Sequence, residues 1–337
     1  MRRAETLLAR LEGCVFAPGD PRRLAALRIG LSAILAVRLA TGPYAELAGQ
    51  PAALFRPISF LRLLDAVPPP GLVAVMQVLA VAAAVLAAAG AAARVTLPLA
   101  WAAAVPLIAM TSSLGKTAHN DVLLLLCLVP LLPAPTAEAW SPAARRRPAP
   151  GRRPAPAPGR WPAPAPGRWP APAPASRRYG WPVRTVLVVV AGAYFFSGLA
   201  KLLHAGLAWV ASGNLRWALY ASSDAQPHPN PAALLVADRP WLAHLLAAAT
   251  LLVELGFPLV LWRPRLAWLF VPAAVAFHAG IWMAMRLDYW PMASTVLVVM
   301  VDWPALADRL ARRGAGGPAV AGAPSGERPA SSAADRR

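Results

Sequence analysis

The chain reads as an all-α, polytopic transmembrane helical bundle. Three observations predict it. The 337 residues are 58% hydrophobic and only 14% charged, where a soluble domain of this size carries about 25% charge. Mean hydropathy is +0.49. About eight apolar stretches approach the ~20 residues that cross a hydrocarbon core.

The first stretch is Leu24–Ala40, with Arg28 and Arg38 near its two ends, placed to snorkel. Gly71–Ala93 and Val95–Thr111 follow, separated by Arg94 alone. Asp121–Leu132 is short by itself and reaches spanning length with Lys116–Asn120. The fifth stretch is Val183–Leu203, the sixth Trp241–Leu261 and the seventh Leu266–Met285. The eighth, Pro291–Trp303, is short enough to be tilted inward or only partly spanning.

These stretches divide the chain. Residues 1–23 form an N-terminal segment, 24–133 hold spans one to four, and 134–182 form a linker rich in Pro, Ala, Arg and Trp. Residues 183–303 hold spans five to eight, and 304–337 form a Gly/Ala/Pro/Ser-rich tail expected to be disordered. The segment before the first span is mixed and charged and does not resemble a cleavable signal. In the linker an eight-residue unit repeats from Gly151, from Gly159 and from Gly167, the last two opening Gly-Arg-Trp-Pro. Alternating proline excludes helix and central strand, so an extended, polyproline-like spacer is expected. The alternative is an arm that docks on lipid headgroups through Arg and Trp.

Charge placement sets orientation. Arg2, Arg3, Arg10, Arg22, Arg23, Arg94, the block from Arg145 to Arg184, Arg263 and Arg265 fall on one side. The other side holds only Arg56, Arg62, Lys116, Arg216, Arg239 and Arg286. By the positive-inside bias both termini are cytoplasmic. The net charge of +18 lies in short loops and the linker. It therefore points to topology signals and anionic headgroups rather than to nucleic acid. Cys14 and Cys127 stand far apart, with no CxxC spacing, which leaves no disulfide framework and no metal site to propose. Phosphate loops, nucleophile elbows and dinucleotide fingerprints are absent.

Between spans five and six, Trp209, Trp217 and Tyr220 fall at near-helical spacing and suit a helix lying in the interface. Asp224 to Pro231 is polar and proline-broken, hence a turn.

One residue type stands out against this background. Of 33 basic residues, all but Lys116 and Lys201 are arginine. Lys201 lies in the apolar run Tyr194-Phe195-Phe196-Ser197-Gly198-Leu199-Ala200-Lys201-Leu202-Leu203. Arginine does not usefully lose its proton, whereas a desolvated lysine can and then acts as a base. Tyr194, Ser197, Gly198 and Lys201 share one helix face at i, i+3, i+4 and i+7. Glu254 lies mid-span in the next helix and needs a partner or a proton. Lys201 and Glu254 can pair, either as a structural clamp or as a functional unit. His278 is also mid-span, in Ala276-Phe277-His278-Ala279-Gly280. His119 lies at the mouth of the fourth span, where Asn120 or Asp121 is expected to cap the helix. His204, His228 and His244 carry no metal-ligand spacing.

Taken together these segments resemble the HTTM superfamily, which includes the vitamin K-dependent gamma-glutamyl carboxylases. Tyr194-Phe195-Phe196-Ser197-Gly198-Leu199-Ala200-Lys201-Leu202 is similar to the family's Tyr-Phe-x-x-Gly-x-x-Lys-Leu segment. Trp209 and Gly213 resemble its Trp-x-x-Gly stretch, and Glu254-Leu255-Gly256-Phe257-Pro258 its Glu-x-x-Phe-Pro element. Phe277-His278 with Tyr289-Trp290, His119 before an apolar span, and Arg28-Ile29-Gly30 with Leu54-Phe55-Arg56-Pro57 follow the family order. The resemblance implies that Lys201 is the base that deprotonates reduced vitamin K or a menaquinol-type quinone, with His119 linked to the same chemistry. Glu254, His278 and Tyr194 would tune the pocket. The chain departs from the animal enzymes in three ways. Its Lys201–Trp209 spacing is longer, it ends soon after the last span without their large extramembrane C-terminal region, and its repeat linker is additional. Carboxylation of a protein substrate is therefore not expected. The Gly-x-x-Lys helix also resembles the smaller DoxX-type quinone-associated membrane proteins.

The sequence thus predicts a multi-pass protein of a bacterial cytoplasmic membrane, with the lipid bilayer and a lipid quinone as partners and no metal. The leading expectation is an epoxidase-like or carboxylase-like quinol enzyme. A non-catalytic membrane scaffold is the alternative, and a transporter the third.

Overall fold

The computed structural model describes residues 15–64, 66–114, 119–145 and 173–315. Cys14, Lys116, the Pro-Arg-Trp repeat and the tail beyond residue 315 lie outside the described residues. Within them there is no β-strand, only an isolated antiparallel bridge between Gly19 and Ser176.

Every apolar stretch is a helix, and proline and glycine set most of the ends. Helix α1 (Pro21–Thr41) opens on Asp20, whose carboxylate accepts from the Arg22 amide at 2.7 Å, with Pro21 in the first turn. The short α2 (Tyr44–Ala48) follows. Helix α3 (Pro70–Ala89) ends on Gly90 at φ 76°, a left-handed position that glycine adopts without strain. That turn leads at once into α4 (Ala93–Ser113). Helix α5 (Val122–Leu128) runs into a 3₁₀ turn, Val129–Leu131, and α6 (Pro142–Arg145) is a single turn. Helix α7 (Arg177–Ala205) is the longest. After α8 (Ala208–Ala211), α9 (Asn214–Asp224) and α10 (Pro231–Ala237) come α11 (Pro240–Gly256) and α12 (Leu259–Trp262). The last three are α13 (Ala267–Met285), α14 (Trp290–Met300) and α15 (Trp303–Ala315).

Among the described residues, five helices are long and apolar enough to cross a membrane. The count rises to seven if two bent pairs are each one span: α10 with α11, bent by 97°, and α14 with α15, bent by 63°. The molecule is thus a multi-pass helical membrane protein. The fourth stretch differs from expectation. Residues 119–121 are not helical, so Asn120 does not extend α5 towards spanning length. The eighth bends sharply after Met300.

Helix α1 is the axis. Leu24, Leu27, Leu31, Leu35 and Leu39 repeat at helical spacing and are buried. They pack against α3, α5, α7 and α14. Two ion pairs tie α15 to the start of α1, Arg22–Asp308 at 3.1 Å and Arg23–Asp302 at 3.4 Å.

Arg28 and Arg38 do not snorkel. Arg28 is fully buried. Its Nη1 donates to the Thr136 carbonyl at 2.7 Å, and its Nη2 to the carbonyls of Trp140 at 2.8 Å and Ala88 at 3.4 Å. Arg38 reaches Asp121 at 2.8 Å and Asp288 at 2.9 Å. The edges of the 134–182 segment therefore belong to the bundle. Residues 136–141 cover Arg28, the Ser141 side chain is buried, and α7 already begins at Arg177. A guanidinium in an apolar core needs acceptors, and the start of this segment supplies them.

Candidate functional site

Three polar side chains meet where α7 crosses α11. Lys201 Nζ donates to Glu254 Oε1 at 2.7 Å and Oε2 at 2.9 Å, and to Ser197 Oγ at 2.9 Å. Ser197 in turn donates to Glu254 Oε1 at 3.0 Å. The helix repeat places Ser197 one turn before Lys201, so both reach the same carboxylate. Glu254 is buried in the bundle, while the Lys201 side chain keeps 21% of its surface exposed. The ammonium also lies 5.3 Å from the centre of the Trp209 ring, within cation–π range. The pair is therefore closed by protein on the Glu254 side and covered by an aromatic ring near its exposed end.

Gly198 makes the crossing close. A Cβ there would lie 2.9 Å from Glu254 Cβ and 3.0 Å from Leu255 Cγ. Any side chain would push α7 and α11 apart and lengthen the Lys201–Glu254 bonds.

A second set of groups runs from the same face of α7. Tyr194 and His278 are both buried, and the Tyr194 hydroxyl and His278 Nε2 lie 2.7 Å apart. The Tyr194 ring stacks on Phe257, with centroids 4.3 Å apart and planes 14° from parallel. His278 stacks on Tyr289 at 5.7 Å. The Tyr289 hydroxyl reaches His119 Nε2 at 3.0 Å. Burial pushes the Tyr289 phenol above its ordinary pKa, so it stays protonated at neutral pH. The other His278 nitrogen, Nδ1, is buried with no hydrogen-bond partner among the described residues.

The five residues singled out from the sequence are thus joined as two sets that share α7. Lys201 and Glu254 meet directly, Tyr194 and His278 meet directly, and Tyr289 bridges His278 to the exposed His119. Two expectations are corrected. Asn120 and Asp121 do not cap α5 with their side chains. Asn120 instead donates to the Asp288 carbonyl at 2.7 Å, and Asp121 pairs with Arg38. Trp209 does not share an interfacial helix with Trp217 and Tyr220 either. The chain breaks at Ser212–Gly213, which leaves Trp209 on α8 and the other two rings on α9.

Sequence reasoning passed over Ser197 as a ligand of the pair, Phe257 as a stacking wall and Tyr289 as a bridge. Ser197 was visible from its i, i+4 spacing to Lys201. Tyr289 was visible only as an aromatic beside His278; its contact with His119, 170 residues away, had no local signal. Among the described residues no three His, Cys, Asp or Glu side chains gather as a metal-binding group. Compared with known proteins, the chain matches no family model, and no curated protein or solved structure is detectably similar.

Proposed function

We propose that this chain is a quinol-linked membrane enzyme in which the Lys201–Glu254 pair takes a proton from a lipid-soluble hydroquinone. The observation that carries the reading is one ammonium with two faces. It is bonded to a buried carboxylate on one side and lies 5.3 Å from the Trp209 ring on the other, on a side chain that is 21% exposed. The ammonium proton can cross the 2.7 Å to Glu254, leaving a neutral amine that receives a proton from a bound hydroxyl. Ser197 holds the amine in line during the exchange. A reduced vitamin K or menaquinol-type ring would supply an acidic ring hydroxyl. The Tyr289–His119 contact offers a polar route to the exposed surface.

The proposal includes a topology. Counting α5 and each bent pair as one crossing gives eight crossings. With that count, the positive-inside bias of the arginines favours both termini in the cytoplasm. The resemblance to the HTTM membrane core supports the same reading.

Hydroquinone turnover by the purified protein in lipid membranes tests it. Lys201→Ala is expected to abolish turnover. Lys201→Arg is expected to abolish it too, because a guanidinium keeps its proton. Equal activity in wild type and Lys201→Ala would sink the enzyme reading. The dense bonding of Ser197, Lys201 and Glu254 also favours a second reading, a membrane scaffold in which the pair clamps α7 to α11. That reading expects no turnover in any form and a tolerated Lys201→Arg.

A further inference from the structure

Helix α9 carries Trp217, Tyr220 and Asp224 at i, i+3 and i+7, so the three share one face. With Gln226, Pro229 and Leu234 they line a recess of about 630 Å³, within the size range of small-molecule sites. The Trp217 side chain is 72% exposed, and the Tyr220 ring lies 6.0 Å away, tilted by 58°. Two π faces therefore border the same open space.

The charges there run against the rest of the chain. Asp224 is the last residue of α9, where the helix's free carbonyls already concentrate negative potential and disfavour a carboxylate. Among the described residues no salt bridge reaches it. The Tyr220 hydroxyl donates to Asp238 Oδ1 at 2.7 Å, which puts a second carboxylate behind the ring. The neighbouring arginines are turned to backbone: Arg216 Nε donates to the Ala237 carbonyl at 2.7 Å, and Arg239 Nη1 to the Leu235 carbonyl at 2.8 Å. In a protein of net charge +18, none of the described residues lining this recess is an arginine, lysine or histidine.

We propose that the recess binds an organic ammonium group, held over the Trp217 and Tyr220 faces and neutralised by Asp224. Ring faces attract a weakly hydrated cation, whereas a metal ion would find one carboxylate and no ordered set of oxygens. The ammonium belongs either to a soluble amine or to an ethanolamine or choline lipid headgroup. The recognition chemistry is the same for both.

Calorimetric titration of the full chain with tetramethylammonium chloride, in a maltoside detergent and with sodium chloride as the ionic control, tests the site. Saturable binding is expected with the ammonium and not with sodium. Trp217→Ala and Asp224→Asn should each weaken it at least tenfold, while Trp217→Phe and Asp224→Glu keep most of it. The two conservative variants carry the test if a truncation fails to fold. No saturable binding, or binding that is unchanged in both Trp217→Ala and Asp224→Asn, would overturn the proposal. The same titration in phosphatidylglycerol nanodiscs, with and without phosphatidylethanolamine, names the source. Loss of tetramethylammonium binding in the presence of the ethanolamine lipid identifies a headgroup site, and unchanged binding a soluble amine; both support the site.

Discussion

Arg28 and Lys201 are both cations placed among apolar helices, and the protein treats them in opposite ways. Arg28 is fully enclosed and bonded only to backbone carbonyls from two separate segments. A carbonyl accepts a hydrogen bond but takes no proton at any working pH, so this arrangement fixes structure and nothing else. It ties α1 to the last turn of α3 and to residues 136–140, and Gly90 lets the guanidinium sit against the chain: a Cβ there would lie 2.7 Å from Arg28 Nη1. Lys201 is bonded to groups that exchange protons, a carboxylate and a hydroxyl, and part of its surface stays open. The difference teaches where in this bundle a proton can be exchanged: at the crossing of α7 and α11, not in the first half of α1.

The largest effect that separates the two cations is on stability. Arg28→Ala strands buried carbonyls of Thr136 and Trp140, each costing about 1–3 kcal/mol. Thermal unfolding in lipid nanodiscs should show a loss of about 2–5 kcal/mol with no change in quinol chemistry beyond the loss of folded protein. A wild-type melting curve for Arg28→Ala would mean that the two regions do not differ in this way. Next, Glu254→Gln leaves the Lys201 ammonium facing an uncharged amide. Breaking a buried pair from one side costs about 3–5 kcal/mol, and the open face of Lys201 lowers this to about 1–3 kcal/mol. The double change Lys201→Met with Glu254→Gln should recover much of it, because no unpaired charge remains. If the double change unfolds earlier than Glu254→Gln alone, the ion pair is not what Glu254 serves.

The smallest effect concerns reach. Only Lys116 and Lys201 are lysines, so amine acylation read by mass spectrometry reports on Lys201 with Lys116 as internal reference. Removing the ring in Trp209→Ala loses a cation–π contact of about 0.5–1 kcal/mol and uncovers the ammonium, so acylation should rise about two- to fivefold. An unchanged ratio would show that Trp209 does not cover the pair. Arg28 has no counterpart to this measurement, since nothing reaches it in the folded state.

Much of this was legible in the sequence. Each apolar stretch is a helix because its length and its flanking Pro and Gly leave few alternatives. The Lys201 face was legible because a helix turns identical spacings into one surface, which also carried Tyr194 and Ser197. That Glu254 would need a partner followed from its burial, and the next span was the nearest source. Other features were not legible. Arg28 read as a snorkelling side chain because its partners are backbone carbonyls, which every residue possesses and no sequence advertises. The Arg38–Asp121–Asp288 cluster and the Tyr289–His119 contact were hidden because they join parts of the chain more than 80 residues apart.

The sequence by itself therefore determined the helices, their apolar character and the helix face that bears Lys201. These depend on short-range spacing and on the cost of exposing or burying single residues. Only the tertiary structure decided which groups that face meets: Glu254 through the close approach at Gly198, and His278 through its hydrogen bond with Tyr194. It also decided that Arg28 is enclosed while Lys201 stays within reach. Those outcomes follow from how whole helices pack against one another, and no local pattern encodes them.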